Sequence, residues 1–245
     1  MFDHVGISVS DRQRSEHFYR TVLGTLGLEP ETDQHYISWD EFFIGSVDAE
    51  HPPTKHLHVG FVAWSREQVD RFHQVGVDAG FASDGDPGER PQYLPGYYGA
   101  FLLDPDGNSI EAVHHDQVRR GGVIDHLWIG VRDLERSFAF YKQIARRTGL
   151  REGAAWEGGR QLRGAWATFA LVADGRPPTS GLHLAFPAPD RRTVEDFHAA
   201  ALAAGGTDHG APGERPQYHP GYFAAFVLDP DGTNVESVLH ERPAS

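Results

Sequence analysis

The chain contains no cysteine, which excludes disulfides, thiolate metal ligands and a cysteine nucleophile. Any metal must then be held by imidazole and carboxylate, a donor set that suits Fe(II), Mn(II), Ni(II) or Zn(II). No apolar run approaches the ~20 residues of a membrane helix. The opening segment Met1-Phe2-Asp3-His4-Val5 lacks the basic region and apolar stretch of a secretory leader. No membrane role is expected, and a cytoplasmic location is. Positive charge is scarce as well: 22 Lys and Arg face 35 Asp and Glu, a net charge of −13. With no local Lys/Arg cluster, such a surface repels phosphate backbones, so the expected partner is a small molecule and not nucleic acid.

What is present is a 245-residue chain, 39% hydrophobic, with 15 histidines. That length suits one large domain or two ordinary ones. A repeat decides between them. Asp3-His4-Val5-Gly6-Ile7 matches Asp125-His126-Leu127-Trp128-Ile129, and His58-Val59-Gly60-Phe61 matches His183-Leu184-Ala185-Phe186. Pro87 to Tyr93 recurs unchanged as Pro212 to Tyr218, and Asp104-Pro105-Asp106-Gly107 recurs as Asp229 to Gly232. Identity over so long an offset argues for duplication of a whole domain. The expected units are 1–118 and 123–245, joined by the short polar linker 119–122 (Arg119-Arg120-Gly121-Gly122).

Within each copy, Val5, Ile7 and Val9 alternate with smaller or polar residues in strand fashion. A helix follows, with Ser10 and Gln13 at capping-box spacing and Phe18, Tyr19, Val22 and Leu23 on its apolar face. The second copy offers Leu134, Phe138, Tyr141 and Ile144 for the same face. Short strands are expected around 36–44 and 166–172. A second strand and helix begin at Leu57, with Ser65 and Gln68 as a capping box and Val69, Phe72 and Gly76 facing inward; Val194, Phe197 and Ala201 do so in the other copy. Asp104-Pro105-Asp106-Gly107 reads as a type I turn closing a hairpin between strands 98–103 and 109–113. Each copy thus holds two units of about 55–60 residues, near the lower limit for folding alone. The fold class is α+β, with paired strand-helix-strand units.

His4 and His58 open equivalent strands of the two units, and Glu111 lies in the closing strand. If the sheets curl together, all three point into one cleft. His126, His183 and Glu236 would do so in the second copy. Two imidazoles and one carboxylate bind a divalent cation on one face and leave other positions open for chemistry. A lone strand histidine is more often a hydrogen-bonded or surface residue than a ligand. The case rests on three residues in equivalent places, twice.

The constellation resembles the vicinal oxygen chelate superfamily, which includes glyoxalase I, extradiol dioxygenases and the bleomycin and fosfomycin resistance proteins. The likeness runs through Asp3 to Val9, Phe18-Tyr19, Leu23-Gly24, His58 to Phe61, and Asp104 to Asn108 with Ile110-Glu111. It implies two tandem domains, each of paired βαβββ units forming a U-shaped open barrel around a metal. Glyoxalase and epimerase members add a fourth ligand, Glu or Gln, from the strand before the second histidine. Here those strands read Glu41-Phe42-Phe43-Ile44-Gly45 and Ala167-Thr168-Phe169-Ala170-Leu171. Apolar residues stand near the expected place, with Glu41 or Asp40 available only in a shifted register. A three-ligand, dioxygenase-like site is favoured.

Pro-Gly-Glu-Arg-Pro-Gln-Tyr reads first as a rigid loop. Its Arg90, Tyr93, Arg215 and Tyr218 are candidates for substrate binding at the cleft mouth, and Tyr97 and Tyr222 for proton donation. His219, opposite Leu94 in the other copy, is a candidate acid-base residue. Trp128 replaces Gly6 and would fill the cleft or stack on a flat substrate. His56, His114 and His115 read as surface or supporting residues. The expected function is a metal-dependent enzyme acting on a small metal-chelating substrate. The alternatives are a sequestering protein of the bleomycin-resistance kind and a glyoxalase-type lyase or isomerase. A monomer or weak homodimer is expected, since duplication can supply a dimer's pairing covalently.

Overall fold

The computed structural model describes residues 1–48, 51–116 and 121–241. In the first half the chain runs β1 (His4–Val9), α1 (Arg12–Gly24), β2 (Glu31–Thr32), β3 (Tyr36–Trp39), β4 (Phe42–Ser46), β5 (Leu57–Val62), α2 (Arg66–Asp78), β6 (Ser83–Glu89), β7 (Tyr98–Leu103) and β8 (Ser109–His114). The second half repeats it: β9 (Ile124–Gly130), α3 (Leu134–Thr148), β10 (Arg151–Trp156), β11 (Gly159–Arg163), β12 (Thr168–Val172), β13 (Leu182–Pro187), α4 (Arg191–Ala203), β14 (Thr207–Glu214), β15 (Tyr222–Leu228) and β16 (Asn234–His240). Four βαβββ units therefore follow one another, as the α+β reading expects. Of the expected linker, Arg119 and Arg120 lie outside the described residues.

The helices begin where short polar side chains satisfy free amides. Asp11, and not Ser10, caps α1, accepting from the Arg14 amide. Ser10 instead bonds Asp106, through its amide at 2.9 Å and its hydroxyl at 2.6 Å. Ser65 caps α2 as expected. On α3 the buried aromatic pair is Phe140 and Tyr141, with Phe138 only partly covered. The turn carboxylates do more than shape the hairpins. Asp104 is buried, accepts from the amides of Asp106 and Asn108, and receives the Tyr19 hydroxyl at 2.8 Å. Asp229 receives Tyr141 in the same way, so each hairpin is tied to the first helix of its own half.

The sheets break the simple picture of two self-contained domains. One has the order β14-β15-β16-β13-β1-β4-β3-β2, the other β10-β11-β12-β9-β5-β8-β7-β6. The first unit of the chain shares a sheet with the fourth, and the second with the third. The joins are antiparallel, β1 on β13 and β5 on β9. Within each half the two units meet through their helices, α1 against α2 and α3 against α4. A largely shared core fills the interior; in it Phe42 of β4 meets Phe61 of β5 edge-on at 5.2 Å. The Pro87-Gly88-Glu89 part of the expected loop belongs to β6, an edge strand where proline's missing amide costs no ladder bond.

Candidate metal centres

The register of the joined strands explains how distant side chains meet. On β5, Gly60 pairs with His126 of β9 on one side and Glu111 of β8 on the other. His58 lies two residues back on β5, hence on the same face. Three donor side chains thus lean over one glycine, and a Cβ at Gly60 would overlap the His126 ring. The second centre has the same plan. Ala185 of β13 pairs with His4 of β1 and Glu236 of β16, and His183 stands two residues back.

The expected trios are therefore regrouped. All six expected ligands converge, but as His58, Glu111 and His126, and as His4, His183 and Glu236. His4 does not join His58 and Glu111, nor His126 join His183 and Glu236, because those residues lie on different sheets. Each first-strand histidine crosses to the other half of the chain. The equivalence of β1 and β9 hides this in the sequence, since either strand satisfies the same pattern.

At the first centre His58 Nε2 lies 2.9 Å from His126 Nε2 and 3.1 Å from Glu111 Oε2, and His126 Nε2 is 3.1 Å from the same oxygen. At the second the corresponding separations are 3.0, 3.0 and 3.4 Å. Donors about 2.1 Å from one cation at right angles stand about 3.0 Å apart. Most of the remaining atoms are engaged, although among the described residues the buried Nδ1 of His183 finds no partner. His126 Nδ1 bonds Asp125 at 2.9 Å and His4 Nδ1 bonds Asp3 at 2.8 Å. The Tyr97 and Tyr222 hydroxyls donate to Glu111 Oε1 and Glu236 Oε1 at 2.7 and 2.6 Å. With Nδ1–H donated to aspartate, each neutral Nε2 carries a lone pair. Nε2 of His126 and of His4 then turns a lone pair toward a carboxylate oxygen and a second imidazole, an arrangement that a cation would satisfy. The donor set fits a divalent metal.

Titration tells the same story with a proton in the cation's place. Burial pulls the His126 pKa down, but the bonds to Asp125 and Glu111 outweigh it and raise the group to about 9. His4 is likewise raised to about 9, against burial, by Asp3 and Glu236. His58 and His183 go the other way, through burial that Glu111 and Glu236 only partly offset. Burial alone would raise Glu236, yet the two imidazoles hold it down at about 2.

The other expected site residues separate by place. Tyr97 and Tyr222 do not stand at the mouth as free proton donors. Burial and the neighbouring carboxylate push both phenols far above their ordinary range, and each orients a glutamate. His219 is not beside a candidate metal centre either. Its Nε2 meets His240 Nδ1 at 2.9 Å, and His240 Nε2 reaches Asp3 at 3.1 Å, so it ends a chain leading to His4. The counterpart of His240 is His115, which is buried and bonds Asp125 at 2.8 Å. Glu41 offers no fourth ligand, since its carboxylate accepts the amides of Val123 and Ile124. Asp40 is exposed, in the turn between β3 and β4. Trp128 does line the first cleft, edge-on to His58 at 6.1 Å, with Arg90 and Tyr93 beside it. Arg215 stands over Phe226 at 5.6 Å, and Tyr218 packs on Tyr222 at 4.8 Å.

The sequence reading missed Asp3 and Asp125 as supports of the first-strand histidines. The signal was present in the repeated Asp-His pair. It also missed Phe43, whose ring lies 5.5 Å from His4 and 6.3 Å from His183, and Arg176, which reaches the first cleft from the other half.

Comparison with known proteins supports the architecture. The chain is similar in structure to glyoxalase I from Zea mays, with 18% identity and a TM-score of 0.69 over 98% of this chain and 92% of that one. One half resembles a glyoxalase/bleomycin resistance protein from Albidiferax ferrireducens, at 31% identity over 49% of this chain and 98% of that one, with a TM-score of 0.42. No curated protein matches the chain significantly in sequence. The profile of the Glyoxalase/Bleomycin resistance protein/Dioxygenase superfamily matches twice, at residues 1–112 and 123–237. With both halves matched, the chain belongs to the glyoxalase/bleomycin resistance protein/dioxygenase superfamily.

Proposed function

We propose that the protein is a divalent-metal enzyme acting on a small organic substrate that chelates the metal through two neighbouring oxygens. His58, Glu111 and His126 would hold one ion, and His4, His183 and Glu236 the other. The observation that carries this is the convergence of two Nε2 atoms and one Oε2 atom within 3.1 Å of one another, with their outer atoms tied to Asp125, Ser109 and Tyr97. The metal would supply Lewis acidity toward a developing enolate or phenolate and, as Fe(II), the redox chemistry of dioxygen-dependent ring opening. Fe(II), Mn(II), Ni(II) and Zn(II) all accept this donor set.

A three-ligand centre supports the dioxygenase-like reading over the glyoxalase-type lyase or isomerase. Where a fourth ligand would stand, β4 presents Phe43 and β12 presents the buried Ala170. Tyr97 and Tyr222 serve as positioning residues for the glutamates, and Arg90 and Tyr93 as substrate contacts. Arg215 and Tyr218 take the same part at the second centre. Units 1–118 and 123–245 act as one body because each centre draws on both. A monomer or weak dimer follows from that internal pairing, and a stable tetramer on sedimentation would contradict it.

Metal analysis of protein purified without a chelating column is the test. Two ions per chain are expected, falling to one in His58→Ala and to one in His183→Ala. No stoichiometric metal after reconstitution removes the reading. A second reading, sequestration without turnover, is favoured by the aromatic wall of Trp128, Tyr93 and Trp156. Ligand binding unchanged by His58→Ala would support it over catalysis.

A further inference from the structure

The cleft over His58, Glu111 and His126 has a volume of about 320 Å³, room for a ligand well beyond the metal itself. Its walls divide by chemistry. One is aromatic, with Trp128, Tyr93 and Phe101 lining it; Trp128 lies 6.2 Å from Tyr93 and 5.5 Å from Trp156. Tyr93 keeps 54% of its surface open. Exposed rings at the mouth of a polar cleft are costly to leave in water and pack well against a planar ligand.

The other wall carries charge, from Arg90 and Arg176, with Asp84 also at the rim. The two arginines differ. Arg176 is forked onto Asp174 at 2.7 and 2.8 Å, so its charge is already matched. Arg90 donates only to backbone carbonyls, of Asp86 at 2.8 Å and Glu89 at 3.2 Å, and lies over the Phe101 ring at 5.7 Å. Among the described residues it has no carboxylate partner. Fixed by two neutral acceptors and a ring face, it keeps further donors of its rigid fork free for an anion. Arg215 is built the same way at the second centre, on Ala211 and Glu214 carbonyls and over Phe226.

Resting on the metal reading above, we propose that this cleft takes a planar ring that chelates the metal through two neighbouring oxygens and directs a carboxylate at Arg90. The ring lies against Trp128 and Tyr93, and the carboxylate supplies the charge that Arg90 lacks.

Titration calorimetry on the metal-loaded full chain tests this, with His183→Ala present to silence the second centre. The probes are 3,4-dihydroxybenzoate and catechol, which share the oxygen pair and differ by one carboxylate. The carboxylated ring is expected to bind about tenfold tighter. Arg90→Ala should bring the two within about twofold at unchanged metal content, and Trp128→Ala should weaken both by about fivefold. Equal binding of the two probes, or a preference that survives Arg90→Ala, overturns the proposal while leaving the metal centre standing. Protein that retains no metal overturns the reading beneath it, so the two failures are told apart by metal content alone.

Discussion

Over the His58 centre the large ring comes from β9, where Trp128 pairs with Ala170 of β12. Over the His4 centre it comes from β4, where Phe43 pairs with Gly6 of β1 and a Cβ at Gly6 would overlap the Phe43 ring. A bulky residue beside a small one is kept in both, with their strands exchanged. An aromatic wall is thus retained at each candidate metal centre, from the first strand itself at one and from the strand beside it at the other. The floor differs as well. Gly60 lies beneath His126, whereas Ala185 puts a methyl beneath His4, and the imidazole-to-carboxylate separation there is 3.4 Å against 3.1 Å. Ligand chemistry is held constant while the surroundings drift.

The sharpest way to break this comparison is to remove one half of the chain. Residues 1–118 alone would leave β1 without β13 and β5 without β9, two open sheet edges. These edges are complementary, so two copies should pair β1 on β5 and form a homodimer. Its metal centres would then be the His4, His58 and Glu111 trio, built between chains. Sedimentation showing a folded monomer would refute the idea that each half needs the other's strand edges.

The floor comes next. Gly60→Ala should displace the His126 ring and weaken metal binding at the first centre by about 100-fold, as loss of ligand orientation does. Ala185→Gly should leave the second centre within about threefold of the parent, since it removes one methyl packed with Tyr222 and Phe226 and takes away no donor. Site-resolved metal titrations in the His183→Ala and His58→Ala backgrounds read the two effects separately, and equal losses would erase the distinction.

The aspartates should matter somewhat less. Asp125→Asn and Asp3→Asn each remove a charged acceptor from an imidazole Nδ1, at an expected cost of about 10- to 100-fold in metal affinity at their own centre. Asp125 also holds the buried His115, whereas Asp3 holds the exposed His240, so Asp125→Asn should lower thermal stability more. Calorimetric scans of the metal-free variants decide it.

The effect of one pH unit is the smallest step. His126 and His4, raised to about 9, are protonated in the metal-free protein at neutral pH, while His58 and His183 are not. In the metal-free fold the raised groups stabilise fully below their ordinary value near 6.5, and that contribution is lost as pH rises through 9. Metal needs the deprotonated ring, so affinity should climb about tenfold per pH unit from pH 7 toward 9, with one proton released per ion. Calorimetry in buffers of different ionisation enthalpy counts that proton. A count near zero would contradict the protonation of His126 and His4 in the metal-free protein.

Much of the site was legible in the residues. His4, His58, Glu111, His126, His183 and Glu236 stand out because identical types recur at equivalent strand positions, and strand alternation fixes which face they share. The roles of Tyr97 and Tyr222 were not legible. A tyrosine near a cleft reads as a mouth residue until its hydroxyl is seen bonded to a buried glutamate. His219 misled for a similar reason, since its path to His4 runs through His240 and Asp3, which lie at opposite ends of the chain.

The amino-acid sequence by itself determined the repeated strand-helix-strand pattern, the closing hairpins and the six candidate donor side chains. Those follow from local propensity and short-range periodicity, which act within a few residues. Only the tertiary structure decided which unit completes which sheet. Because β1 and β9 are near copies, β5 and β13 each had two candidate partners of similar edge chemistry, and the choice rested on how the helices pack and where the connections run. That choice drew each candidate metal site from both halves.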